Sequence, residues 1–223
     1  MARSVVSHVH ILSKSQRLLL YDFKYDTFNI SHKQRDLTLA KVIFIPGNGG
    51  GSTKDNWFPS VQKELEAFGI DVIAEEFPDN DLARASSWLP FLLNDLKADE
   101  DTILVGHSSG AIAAMRYAEQ FTILGSVLVG AYHTHLGMEK EKLSGYFDTP
   151  WKWENIRKNQ SWTILFASQD DPWIPIQEAR HLHEQLNCEY HEYTNEGHFG
   201  GDYEKLTFPE LSYSIIRNVK KYE

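Results

Sequence analysis

From residue 41 onward the 223-residue chain predicts a doubly wound α/β fold, a mainly parallel sheet with helices on both faces. Short segments that are nearly all apolar recur along it, as strands covered on both faces of a parallel sheet must. Most are followed by a stretch whose apolar residues fall at helical spacing, the alternation of a βαβ chain. A content of 42% hydrophobic and 13% aromatic residues supplies one sizeable core, and single α/β domains commonly run to ~200–250 residues.

The first core strand is "KVIFIPG" (residues 41–47), ended by Pro46 and Gly47. "DNWFPSVQKELEAFG" (55–69) is a helix stopped by Gly69, and "IDVIAEEF" (70–77) is the second strand. "LARASSWLPFLLNDL" (82–96) reads as a helix with a kink at Pro90, and "DTILVG" (101–106) as a buried strand. The small-residue stretch "AIAAMRYAEQ" (111–120) is the next helix, and "GSVLVGAY" (125–132) and "WTILFAS" (162–168) are strands. "IQEARHLHEQLN" (176–187) is a helix after Pro175, "CEYHEYTN" (188–195) a last short strand, and "LSYSIIRNVKKY" (211–222) an amphipathic closing helix.

Two segments stand outside the alternation. Residues 1–40 form an N-terminal extension to a domain of residues 41–223; its stretch "RLLLYDFKYDTFNISH" reads either as an added hairpin or as a loosely attached extension. Residues 132–160, rich in Trp, Gly and charges, make a long cap-like excursion of the sort that covers a site.

The formal charge is −9, from 31 acidic against 22 basic residues, and no Lys/Arg cluster runs against it. Phosphate backbones and anionic lipid are therefore repelled, so neither nucleic acid nor membrane is an expected partner. The single cysteine, Cys188, excludes an intrachain disulfide and points to a reducing, cytoplasmic setting. No stretch reaches the ~20 apolar residues of a membrane span, and "MARSVVSHVHILSKSQR" lacks the apolar centre and cleavage site of a secretory signal.

The chemistry concentrates at "GHSSG" (106–110), a G-x-S-x-G turn between the buried strand and the small-residue helix. Such a turn is the nucleophile elbow of α/β-hydrolases. Its serine is held at a strained backbone angle, so Gly106 and Gly110 supply the missing bulk on either side. Ser108 is the candidate nucleophile, and the backbone amide of Ser109 faces the place where an oxyanion forms.

A serine hydroxyl needs a base and the base an orienting acid, in the chain order Ser, Asp/Glu, His for this fold. "QDDPWIP" (169–175) places a carboxylate after a late strand, with Asp170 and Asp171 both open to the role by spacing alone. "NEGHFGG" (195–201) places His198 in a Gly-flanked loop after the last strand. Both fall at carboxyl ends of strands, where a site in such a sheet stands.

Other histidines have plainer readings. His181 and His183 sit two apart on a helix and face different ways, and His107 within the elbow is too constrained to serve as the base. His133 and His135 follow a strand and read as surface or pocket-lining residues. No H-E-x-x-H spacing occurs, and one cysteine builds no structural zinc site, so no metal or other cofactor is expected.

The cluster "PGNGGGSTK" (46–54) fits neither G-x-x-x-x-G-K-[ST] nor G-x-G-x-x-G, which argues against a nucleotide. It fits the loop after the first core strand, whose amide completes an oxyanion hole; Asn48 is the expected donor and Gly49 the alternative.

Taken in order, "IPGNGGG", "WLPF", "GHSSGAIAAMRYAE", "SGYF" with "PWKWE", "DDPWIP" and "GHF" resemble the retinoblastoma-binding protein 9 family of serine hydrolases, over about residues 41–220. The resemblance implies a triad of Ser108, Asp171 and His198, the acid being the Asp directly before Pro in D-P-x-x-P. Asp170 is then expected to cap the turn. It also implies small ester or aminoacyl-amide substrates, split through an acyl-serine. The family name implies binding to a retinoblastoma-type pocket through L-x-C-x-E, yet the matching "LKADE" (96–100) has Ala98 in place of the cysteine, so that partner is not expected. Trp151, Trp153 and Trp173 lie in segments near the expected site and predict a compact aromatic-lined pocket. The competing reading is a ligand- or protein-binding module on a hydrolase scaffold, with little turnover.

Overall fold

The computed structural model describes residues 9–11, 40–201 and 204–221. Seven strands form one sheet: β1 (Val9–Ile11), β2 (Lys41–Ile45), β3 (Asp71–Ile73), β4 (Thr102–His107), β5 (Gly125–Val129), β6 (Trp162–Ser168) and β7 (Glu189–Tyr193). Their spatial order is β1-β7-β6-β5-β4-β2-β3, and every neighbouring pair is parallel. The helices are α1 (Phe58–Glu66), α2 (Ala85–Pro90), α3 (Ser109–Ala118), α4 (Glu139–Leu143), α5 (Trp153–Lys158), α6 (Ile176–Leu186) and α7 (Pro209–Lys221). This is the doubly wound α/β architecture expected from the alternation.

Residue alternation along the strands divides the core into two layers. Val42, Phe44, Ile103, Val105, Val129 and Phe166 join the side chains of α1 and α7 on one face. Ile43, Ile45, Leu104, Leu128 and Leu165 join those of α2, α3, α5 and α6 on the other. All ten residues of α3 are buried, which explains its run of Ala and Gly: it lies between the sheet and α2 and α5.

The chain passes from β2 outward to β3 and returns on the opposite side of β2 as β4, in register from Lys41↔Thr102 to Ile45↔Gly106. The connections after β2 and β4 therefore diverge, leaving a crevice at their carboxyl ends where ligands bind in open α/β sheets.

Three elements differ from the sequence expectation. β3 stops at Ile73 instead of running to Phe77, because Thr53 Oγ1 donates to the carbonyl of Ala74 (2.9 Å) and, among the described residues, no strand lies beyond β3 to hold the rest. At Pro90, α2 does not simply bend; it passes into a π-helical turn, Phe91–Asp95, the wider winding that a missing N–H accommodates. Of the N-terminal extension, Val9–Ile11 is an edge strand beside β7, and "RLLLYDFKYDTFNISH" lies outside the described residues.

The excursion of residues 132–160 contains α4 and α5 and is tied to the core by Arg116 of α3. Its guanidinium grips the Glu119 carboxylate (2.8 and 2.9 Å) and donates to the carbonyls of Tyr146 and Thr149, both at 2.7 Å. A buried charge is tolerable when paired and fully hydrogen-bonded in this way.

Phe166 is fully buried, stacked on His191 (4.7 Å between ring centres) and edge-on to Phe208 (4.9 Å). Phe166→Ala is expected to lower the free energy of unfolding by about 3–5 kcal/mol, read from urea denaturation.

Candidate active site

Ser108 sits between β4 and α3 at φ 55° and ψ −123°, a conformation that side-chain-bearing residues rarely adopt. Its N–H donates to Val129 O (2.9 Å) and its carbonyl accepts from Ala111 N–H (2.9 Å), so both neighbouring elements hold the strained residue. A Cβ on Gly106 would lie 2.3 Å from Gly110 O, and one on Gly110 would lie 2.2 Å from Ile45 O. The two glycines are thus required by the packing of α3 against the end of β2. Ser109 opens α3, so its N–H has no intrahelical acceptor and adds to the positive end of the helix dipole.

Asp171 follows β6 and His198 follows β7, and the two meet: His198 Nδ1 lies 2.7 Å from Asp171 Oδ2. The other carboxylate oxygen, Oδ1, accepts from the N–H groups of Trp173 (2.9 Å) and Ile174 (3.0 Å). The Asp171 side chain is 2% exposed and that of His198 13%. Because a carboxylate only accepts, this pairing keeps a proton on Nδ1. Asp170 Oδ1 accepts from Ser168 Oγ (2.6 Å) and Gly197 N–H (2.9 Å), binding the turn after β6 to the loop that carries His198.

Four residues that the sequence reading did not assign to the site position His198. Its ring lies over Gly130, where a Cβ would stand 3.0 Å from Cε1. Trp57 Nε1 donates to Phe199 O (3.0 Å), and the buried Phe199 ring stacks on Phe208 at 5.5 Å, plugging the loop into the core. His107 Nε2 donates to His198 O (2.7 Å), with the two rings 4.8 Å apart. Burial, and next the nearby His198, push His107 down to about 3, so the ring is neutral and fit to donate. The aromatic after the histidine in "GHFGG" is the one sequence signal that anticipates such anchoring.

Ser108 and His198 line one cavity of about 690 Å³ together with Asn48, Tyr132, Glu141 and Trp173. The amides of Gly49 and Gly50 donate to Asp81 O (3.0 Å) and Asn80 O (3.1 Å), which occupies the alternative oxyanion donor. Among the described residues the Asn48 N–H makes no backbone hydrogen bond, and the Asn48 side chain donates to Glu141 Oε1 (2.6 Å). Glu141, on α4, was not anticipated; it also accepts from Ser109 Oγ (3.4 Å), which in turn contacts the Tyr132 hydroxyl (3.0 Å).

Of the three tryptophans expected in the pocket, only Trp173 lines this cavity, at its rim and 58% exposed. Trp151 and Trp153 stack on each other 5.1 Å apart, within the excursion. Trp151 is held there by Arg116, 3.7 Å above its ring, and by its Nε1 bond to His133 O (2.8 Å). His133 and His135 line a separate, shallower depression with Trp151 and Phe147. There Glu178 accepts from the N–H groups of His133 (2.8 Å) and Thr134 (3.1 Å); burial opposes its ionisation, but these bonds and His133 prevail and hold the carboxyl down at about 2.

The buried His107 generates a pH prediction. In the fold it stays neutral down to about 3, whereas in the unfolded chain it takes a proton near 6.5. Between these values the unfolded state binds more protons, so stability falls as pH falls, by up to about 1.4 kcal/mol per unit. His107→Gln, which keeps a donor, is expected to flatten the fall in urea-unfolding stability between about pH 6 and 4.5 relative to the wild type.

A serine hydrolase family model matches residues 42–215. The chain is 45% identical over 162 residues to serine hydrolase RBBP9 of Rattus norvegicus, a match spanning 72% of this chain and 87% of that protein. The crystal structure of the ydeN gene product of Bacillus subtilis superposes with a TM-score of 0.73 at 24% identity, covering 81% of this chain and all of that one (100%). The meta-cleavage product hydrolase CumD of Pseudomonas fluorescens IP01 superposes with a TM-score of 0.61 at 15% identity, covering 82% and 92%. At those identities the two structures speak for the fold alone, whereas the family match and the rat relative speak for descent. The chain belongs to the serine hydrolase family, built on the α/β-hydrolase fold.

Proposed function

We propose that the protein hydrolyses small esters or aminoacyl amides through a covalent acyl-serine, with Ser108, His198 and Asp171 as the triad. The observation that carries this reading is the pairing of His198 Nδ1 with Asp171 (2.7 Å) in the cavity that the strained Ser108 also lines. His198 Nε2 takes the Ser108 proton as Oγ attacks the carbonyl, then gives it to the leaving group. Asp171, already saturated by two backbone amides and the ring, holds the tautomer and stabilises the imidazolium. The amides of Asn48 and Ser109 receive the oxyanion, a role supported by the occupied amide of Gly49. Water then attacks the acyl-serine with His198 as base.

A cavity of about 690 Å³ under a short cap suits a compact acyl group. Trp173 at the rim offers an apolar face to one side of the substrate. Cytoplasmic residence fits the one cysteine, Cys188, free and buried. A retinoblastoma-type partner is not proposed: Ala98 stands where L-x-C-x-E has cysteine, and it is buried with its carbonyl accepting from the Tyr117 hydroxyl (2.7 Å).

Ser108→Ala is expected to abolish both fluorophosphonate labelling and p-nitrophenyl acetate turnover; a wild-type protein that resists the probe would overturn the mechanism. His198→Ala and Asp171→Asn are expected to lower kcat on the same ester by roughly 10³-fold or more. Ser109→Ala keeps the amide, so labelling persists, while the Tyr132 hydroxyl loses its partner at a cost of about 1–3 kcal/mol in unfolding stability.

A further inference from the structure

The acyl-transfer mechanism above has no use for the Glu141 side chain, yet Glu141 lines the same cavity as Ser108 and His198. Glu141 is only 4% exposed. Its Oε1 is satisfied by Asn48 Nδ2 (2.6 Å) and Ser109 Oγ (3.4 Å). Its Oε2 is buried and has no hydrogen-bond partner among the described residues by distance and angle, with the Tyr132 hydroxyl the neighbouring group that interacts with the carboxyl. Nor, among the described residues, does a cation pair with it: on its own helix Lys140 pairs with Asp81 (2.7 Å) and Lys142 with Glu139 (2.6 Å), and Arg116 is committed to Glu119. The neighbouring hydroxyls of Tyr132 and Tyr146 stay neutral, both pushed well up by burial and then by the Glu141 charge. A buried carboxylate with an open oxygen and no counter-charge is a site awaiting a cationic donor.

Resting on the acyl-serine reading, we infer that Glu141 Oε2 receives a protonated amine carried by the substrate beside its scissile carbonyl, which makes Glu141 a specificity-determining residue for small amino-bearing acyl groups. Its position supports this. Glu141 holds the side chains of Asn48 and Ser109, the two residues whose amides are proposed to receive the oxyanion, so its carboxyl stands close to the carbonyl under attack. A lone negative charge there opposes the developing oxyanion of a neutral substrate. An ammonium on the carbon next to that carbonyl cancels the repulsion, and the benefit grows as the oxyanion forms.

The test compares the p-nitrophenyl esters of leucine and of 4-methylpentanoic acid, identical but for the amine, at a pH where the amine is protonated. The wild type is expected to prefer the leucine ester by about tenfold or more in kcat/KM. Glu141→Gln, which keeps an acceptor for Asn48, is expected to bring that ratio to within about threefold, chiefly by raising KM for the leucine ester, and Glu141→Asp to restore part of it. Inhibition of the wild type by 3-methylbutylamine but not by 3-methylbutanol reads the same site without any substitution. A wild type without preference, or a Gln variant slowed equally on both esters, overturns the inference. Fluorophosphonate labelling of Ser108 in the same preparation separates the two readings: a labelled protein without preference sinks the Glu141 inference alone, and an unlabelled one that hydrolyses neither ester sinks both.

Discussion

Where α3 begins, its backbone lies so close to the end of β2 that no side chain fits between them. The absence of a Cβ at Gly110, which would otherwise stand 2.2 Å from Ile45 O, is the constraint on which the rest of the site depends. It brings the first turn of α3 and the loop after β2 together at the crevice where strand order reverses. Ser108 is then forced into its strained conformation because β4 must turn into α3 within one residue, and the neighbouring strand β5 braces it through Val129 O. The Asn48 loop and Ser108 arrive on the same cavity through one packing contact.

His198 is fixed by a different means. What immobilises its loop is neutral: a buried His107 donating to its carbonyl, Trp57 donating to the next one, and the Phe199 plug in the α1–α7 layer. Keeping these supports uncharged leaves Asp171 as the charged partner of the ring. The excursion follows the opposite rule. Arg116 with Glu119 and Glu178 with the His133–Thr134 backbone are buried or half-buried charges, each matched by several hydrogen bonds. Against that background the open oxygen of Glu141 stands out, because the same helix that closes the cavity brings an unmatched charge into it.

Most of the fold was legible because burial on both faces writes itself as continuous apolar runs: "WTILFAS" corresponds residue for residue to β6, and the helix after Pro175 begins at Ile176. β3 was less so, since an edge strand ends where its hydrogen bonds are diverted, and a threonine far away in sequence does the diverting. Local chemistry likewise pointed to Ser108, to His198 and to a carboxylate in "QDDPWIP", which sit at strand ends with turn-forming neighbours. The tryptophans divide because hydrophobic bulk near a site in sequence serves the core as readily as the pocket: Trp173 lines the cavity, whereas Trp151 lies under Arg116 of the covered helix α3 and stacks on Trp153.

The sequence by itself determined the strand-and-helix alternation, the G-x-S-x-G turn at Ser108 and the chain order in which the carboxylates of "QDDPWIP" and then His198 follow late strands, because each is encoded in the spacing of adjacent residues. Only the tertiary structure decided that His198 and Asp171 are in contact, that the amide of Gly49 is already engaged while that of Asn48 makes no backbone bond among the described residues, and that Glu141 reaches the cavity. The reason is that each of these joins residues tens of positions apart, on loops or on the cap helix, where no periodicity constrains the chain. What selects them is hydrogen-bond satisfaction and exclusion of volume, properties of the packed molecule rather than of any segment of it.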